Sequence, residues 1–275
     1  MMKPIVDEEM IEAGIYALRN ERLVMGESVY KFEEEFARYC GTRYAVSTAS
    51  GTAALQIAFQ SVGIHGDDEI LTTPFSFFAT SNAIIHAGAQ PRFADVENLG
   101  FNLDPKKAFK KITSKTRAVE PVHLYGQPAR MDEFLAMAEE RGISIVEDCC
   151  QAHGAEYNGK KVGSLGLAGC FSFYAFELSP MKEVPVYHLF VIRSKRRDRI
   201  AKRLEENGIE SAIHYPIPIH LQAHYRHQYG FSEGSLPASE KLAKEVLSLP
   251  MHPMLTEQEV QQVSRTVREA VHQDS

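Results

Sequence analysis

Between residues 44 and 174, short runs rich in β-branched and aromatic residues alternate with longer stretches of helical pattern. The runs at 44–48, 69–73, 91–95, 117–121, 143–147 and 169–173 have the length and composition of strands. Segments 51–62, 76–87, 105–111 and 131–141 predict the helices between them. A β-α-β-α order of this kind predicts an α/β fold, with a mostly parallel sheet and helices on both faces.

After residue 184 the pattern changes. A strand-like run at 186–192 precedes a charged helix at 196–207 and helices at 237–247 and 256–271. Thr256 followed by Glu259 is a capping box that sets the start of the last helix. The chain therefore divides into a large α/β domain, 1–183, and a small C-terminal α+β domain, 184–275. No internal repeat, low-complexity tract or Gly/Ser linker separates the two.

Composition narrows the function classes. The 275 residues are 44% apolar and 24% charged, enough for a sizeable core. Thirty Lys and Arg against 36 Asp and Glu give a net charge of −6, which argues against a nucleic-acid partner. The N-terminal stretch lacks the apolar run of a signal peptide and no later segment has the length of a membrane span, so the expectation is a cytoplasmic protein. Cys40, Cys149, Cys150 and Cys170 show no C-x-x-C spacing and are expected to be buried, reduced thiols, with no metal site.

Three segments carry candidate chemistry. Ser50-Gly-Thr-Ala-Ala-Leu55 follows a strand and opens a helix, where free N–H groups suit a phosphate, although a plain N-cap with a glycine turn is the simpler reading. Pro74-Phe-Ser-Phe-Phe78 places rings at the carboxyl end of a strand, the ligand edge of such sheets, to stack on a planar group or to pack the core. Asp148 ends an apolar strand, where it would pair with a cation such as a protonated pyridine nitrogen or cap a helix; Gln151 and His153 follow it.

Together with Val146-Glu-Asp-Cys-Cys-Gln-Ala-His-Gly154 and Cys170-Phe-Ser-Phe-Tyr-Ala-Phe-Glu177, these segments give the chain a specific resemblance. It extends through Gly26-Glu-Ser-Val-Tyr-Lys-Phe-Glu33, Pro121-Val-His-Leu-Tyr-Gly-Gln-Pro128, His214-Tyr-Pro-Ile-Pro-Ile-His-Leu221 and Leu249-Pro-Met-His-Pro253. The chain resembles the DegT/DnrJ/EryC1/StrS aminotransferases. These are fold type I, pyridoxal-phosphate-dependent enzymes that move an amino group from glutamate or glutamine to a nucleotide-linked ketosugar in polysaccharide or lipopolysaccharide biosynthesis. The resemblance implies homodimers and a cofactor alternating between pyridoxal and pyridoxamine phosphate. It implies that Gly51, Thr52 and Ser172 hold the cofactor phosphate, Phe77 stacks on the ring, Asp148 meets the pyridine nitrogen and Gln151 lies near the ring hydroxyl. His214, Tyr215 and His220 are then on the sugar side.

Departures from the family pattern bear on activity. Glu177 stands where the resemblance expects the lysine that forms the Schiff base, and a carboxylate forms no imine. Lys182 has the wrong spacing to replace it, with Pro180 between. The sequence passes from Glu177 to Val184 within a few residues, where the family pattern continues for about a hundred more. Leu167 occupies a position that is usually acidic.

The expectation is an inactive or degenerate homologue with at most weak, non-covalent cofactor binding. The alternative is a cofactor- or nucleotide-sugar-binding module that partners an intact paralogue. The missing segment includes a strand that lies, in this fold, between the strand bearing Ser172 and the one at 44–48. The chain is therefore expected to pair those two strands directly, to fill the slot with 185–192, or to stay partly unfolded, the first two being favoured, with 177–184 crossing between the domains.

Overall fold

The computed structural model describes residues 6–173, 188–252 and 254–272. Two helices that the sequence reading did not single out, α1 (Glu8–Asn20) and α2 (Glu27–Cys40), come first. The Asp7 carboxylate caps α1 by accepting from the Met10 N–H at 2.8 Å, and a left-handed Gly41 closes α2. The α/β part follows in the anticipated order: α3 (Gly51–Ser61), β1 (Glu69–Thr72), α4 (Phe78–His86), β2 (Gln90–Phe93), α5 (Pro105–Phe109), β3 (Thr116–Val119), α6 (Met131–Arg141) and β4 (Ser144–Asp148). A small hairpin, β5 (Glu156–Tyr157) and β6 (Lys160–Lys161), precedes β7 (Ala168–Cys170).

The main sheet runs β2-β1-β3-β4-β7 with every pairing parallel. Residue alternation sorts its two faces. Ile70, Ala118 and Val146 pack with Leu55, Phe59 and Ile84 of α3 and α4, whereas Leu71, Val119 and Ile145 pack with Met131 and Phe134 of α6. Both layers are buried, as a parallel sheet requires.

The C-terminal part comprises β8 (Phe190–Arg193), α7 (Arg197–Glu206), α8 (Ala223–Tyr229), α9 (Pro237–Glu245), β9 (Val246–Leu249) and α10 (Glu257–His272). The helix expected to run to residue 247 stops at Glu245, because the chain extends there to pair β9 antiparallel with β8. Ile200, Leu204, Leu247 and Ala270 form the core beneath α7 and α10. The capping box forms: the Thr256 N–H and hydroxyl donate to Glu259 Oε2, both at 2.8 Å, and the Glu259 N–H donates to Thr256 Oγ1 at 3.3 Å. No helix among the described residues is long and apolar enough to cross a membrane.

Two expectations fail at the β7 side of the sheet. Residues 44–48 form no strand, and β7 pairs with β4 alone among the described residues. The segment runs outside the sheet, with Tyr44 and Val46 each 78% exposed and the Ser47 N–H held by Glu33 Oε1 at 2.6 Å. The described part of 185–192 does not fill the slot either, since β8 is committed to β9. The physical reason is that a strand needs a ladder to satisfy its backbone groups, and 44–48 finds a side chain and solvent instead. The crossover expected at 177–184, with Glu177 and Lys182, lies outside the described residues.

Candidate functional site

The carboxyl ends of β1, β3, β4 and β7 converge on the starts of α3 and α4, the usual ligand edge of an open parallel sheet. Asp148, the last residue of β4, is buried there with a partner on each oxygen. Its Oδ2 accepts from the Thr80 hydroxyl at 2.9 Å, and Ser76 Oγ lies 2.9 Å from Thr80 Oγ1. Its Oδ1 accepts from the Cys150 N–H at 3.1 Å within a turn, so Asp148 caps no helix.

Ser50 does cap α3, its hydroxyl accepting from the Ala53 N–H at 3.2 Å, which leaves the Gly51 and Thr52 N–H groups at the helix opening. Gly51 is required by its neighbours. A Cβ there would stand 2.7 Å from Ser172 Cβ and 2.9 Å from Cys150 Sγ, so glycine preserves a narrow cradle between α3 and the chain after β7. The Pro74-to-Phe78 segment splits its roles: Phe75 is in the core, while Phe77 is 46% exposed and 6.2 Å from the Tyr215 ring.

Gln151 bridges the two halves of the chain. Its Oε1 accepts from the Tyr125 N–H at 2.9 Å and its Nε2 donates to the Tyr215 hydroxyl at 2.9 Å. Burial, more than the Asp148 and Cys150 charges, pushes the Tyr215 hydroxyl up to about 12, with the Gln151 hydrogen bond opposing. Tyr125 donates its own hydroxyl to the His214 carbonyl, and His214 Nδ1 is 2.9 Å from Ser248 Oγ. Gly51, Asp148, Gln151, Ser172, Phe77, Tyr215 and His214 thus belong to one connected neighbourhood.

His220 is placed differently. It is fully buried, its Nε2 is 3.1 Å from Glu240 Oε1, and it packs against Phe231. Glu240 also accepts the Gly234 and Leu236 N–H groups, so His220 takes part in the packing of that loop. His153 sits among Phe171 and Phe173, and burial lowers it to about 4.

Beside this edge, His123, Glu147 and Cys149 lie close enough to suggest a metal. The lone pairs of His123 and Glu147 are committed, and burial pushes the Cys149 thiol up. His123 Nδ1 accepts from the Ala129 N–H at 2.9 Å, so Nε2 carries the hydrogen and donates to Glu147 Oε2 at 3.1 Å. Glu147 further accepts the Gly163, Leu165 and Gly166 N–H groups at 2.9, 2.8 and 2.7 Å. Burial pushes this carboxyl up, but the His123 and loop hydrogen bonds prevail and hold it below the usual range. The cluster anchors the loop that carries Leu167, whose side chain is exposed.

Comparison with known proteins identifies the arrangement. The DegT/DnrJ/EryC1/StrS aminotransferase family matches residues 4–183 and 176–268. The chain belongs to this family. Among its relatives, the "pleiotropic regulatory protein" of Geobacillus stearothermophilus is 32% identical over 341 aligned residues, covering 92% of this chain and 91% of that protein. The dTDP-3-amino-3,4,6-trideoxy-α-D-glucose transaminase of Streptomyces venezuelae is 31% identical, covering 92% and 89%. The crystal structure of S. venezuelae DesV, solved with a ketimine intermediate, superposes with a TM-score of 0.86 at 30% identity, covering 96% of this chain and 94% of that one.

Gly51, Asp148, Gln151 and Ser172, which the family resemblance singled out, lie together at this edge. Thr80, Tyr125 and Cys150 were not singled out for the site. Their part in it depends on contacts across the fold, and only the adjacency of Cys150 to Asp148 gave a local signal.

Proposed function

We propose that this chain holds pyridoxal or pyridoxamine phosphate reversibly and performs no transamination of its own. The observation behind this is the pairing of an intact ring-nitrogen site, Asp148 with a hydrogen-bond donor on each oxygen, with a glutamate at the position of the Schiff-base lysine. The residues present suit the group. Gly51 and Thr52 N–H groups and the Ser172 hydroxyl receive the phosphate, Phe77 covers one ring face, and Asp148 holds the proton on the ring nitrogen. Gln151, fixed by Tyr125 and Tyr215, approaches the ring hydroxyl.

When bound, the cofactor supplies an electron-accepting pyridinium. Glu177 offers no amine to anchor it or to shuttle a proton. His214 and Tyr215 face the substrate side, and His220 acts through the loop that Glu240 holds. The named activity of the Streptomyces relative supports a nucleotide-linked ketosugar with an amino-acid donor as the substrate class. The same reading divides the chain near residue 183 into a large cofactor-binding part and a smaller C-terminal part.

A second reading has its own support. The alignment with the Geobacillus relative spans 341 positions against 275 residues in this chain, and the 44–48 segment is left outside the sheet. Both favour loss of an internal segment and a role as a binding module beside an intact paralogue. Fluorescence titration with pyridoxal phosphate tests the main proposal: saturable binding is expected, lost on gel filtration. A cofactor absorbance band retained through gel filtration would contradict it.

A further inference from the structure

The least explained group near the site is Glu120, directly after β3. It is completely buried, and among the described residues neither carboxyl oxygen has a hydrogen-bond partner. The adjacent Thr72 hydroxyl is spent on the Glu120 carbonyl at 3.1 Å. Register sets the direction of the side chain. Val122 bridges to Asp148 across the parallel pair, so Glu120, two residues back, lies on the same sheet face as Asp148 and beneath it.

The titratable groups around Glu120 are Asp148 on β4, Cys150 in the following turn, Cys170 on β7 and Tyr225 on α8. None is a cation. An ionised carboxylate here would be desolvated, unbonded and beside a second carboxylate, whereas Asp148 has a donor on each oxygen. The charge of the pair therefore rests on Asp148 and the proton on Glu120. Burial, followed by the Asp148 charge, pushes Glu120 well above the usual carboxylate range; the nearby Thr72 hydroxyl opposes this, but it donates to the Glu120 carbonyl rather than to the carboxyl.

We propose that Glu120 and Asp148 form a carboxyl pair with Glu120 as its protonated member, a positioning residue that sets how strongly the site holds a cationic ring. This rests on the cofactor reading above. A cation seated at Asp148 offsets the repulsion that adds to burial in keeping Glu120 neutral, so binding favours loss of the Glu120 proton to solvent. By linkage, affinity for the ring rises as pH rises through the ionisation of Glu120.

The test uses the full chain, its Glu120→Gln and Glu120→Leu variants, and pyridoxamine phosphate, which needs no lysine. The ring's own titration is common to all three proteins, so the ratio of dissociation constants isolates Glu120. Wild type should gain on both variants as pH rises from about 6 to about 9, by roughly tenfold or more, the scale of one charge several ångströms away at a protein's effective permittivity. Ligand-free denaturant melts supply an independent readout. The stability advantage of Glu120→Gln over wild type should widen with pH and should shrink in an Asp148→Asn background. Binding with a pH-independent ratio overturns the role of Glu120 alone. No binding by any of the proteins overturns the cofactor reading itself, and melts parallel in pH overturn the carboxyl pair.

Discussion

Residues 44–48 and 69–72 have closely similar strand signatures, Tyr-Ala-Val-Ser-Thr and Glu-Ile-Leu-Thr, and end in opposite conditions. The second is β1, hydrogen-bonded on both sides to β2 and β3, with Ile70 and Leu71 completely buried. The first has no ladder at all, and its large side chains point to solvent. The difference shows that strand propensity is realised only where a neighbour accepts the backbone, and it divides the molecule. From β2 to β4 the sheet has both its layers and its ligand edge. At the β7 side, no further strand pairs with it among the described residues.

That contrast can be broken by mutation. Phe59→Ala, in the buried layer over β1 and β4, should cost about 3–5 kcal/mol in denaturant melts; a loss under about 1 kcal/mol would mean that the inner sheet is no better packed than its flank. The acid limb is the next largest effect. His153 and His188 are both lowered by burial to about 4. Below the ordinary value of 6.5 the unfolded chain binds protons that the folded chain refuses, so stability is held above that pH and lost as it falls toward 4. His153→Phe should make this limb shallower by roughly 1–3 kcal/mol across the window, measured as urea midpoints against pH.

Gly51→Ala should cost about 1 kcal/mol net, since overpacking of about 1–3 kcal/mol against Ser172 and Cys150 is partly offset by alanine's helix preference of about 1 kcal/mol. The same change should weaken phosphate-bearing ligands more than phosphate-free ones, which binding titrations with pyridoxal phosphate and pyridoxal would reveal. Val46→Thr is the smallest, within about 0.5 kcal/mol in either direction. A larger loss would show that 44–48 is covered in solution.

The periodicity of the chain was sufficient for the inner strands and the α3, α4 and α6 helices, because those segments bury a face against immediate neighbours. It could not reveal that 44–48 lacks a partner, since pairing is a property of the whole sheet. It also gave no sign of α1, which buries no residue. At the site, Gly51 and Asp148 were legible because each sits at the junction of a strand with a turn or helix. Glu120 read only as part of a strand. Its isolation comes from a sheet register that brings it under Asp148, with no donor to its carboxyl among the described residues. His220 carried a motif signal, yet its contacts are with Glu240 and Phe231.

The most direct test of the central claim is borohydride reduction of the chain mixed with stoichiometric pyridoxal phosphate, followed by peptide mass mapping, with Asp148→Ala as control. The account predicts saturable binding that Asp148→Ala weakens by roughly tenfold or more, the loss of a charge-assisted hydrogen bond, and no site-specific pyridoxyl adduct. One pyridoxyl group per chain on a single lysine, formed in the wild type and absent in Asp148→Ala, would contradict it.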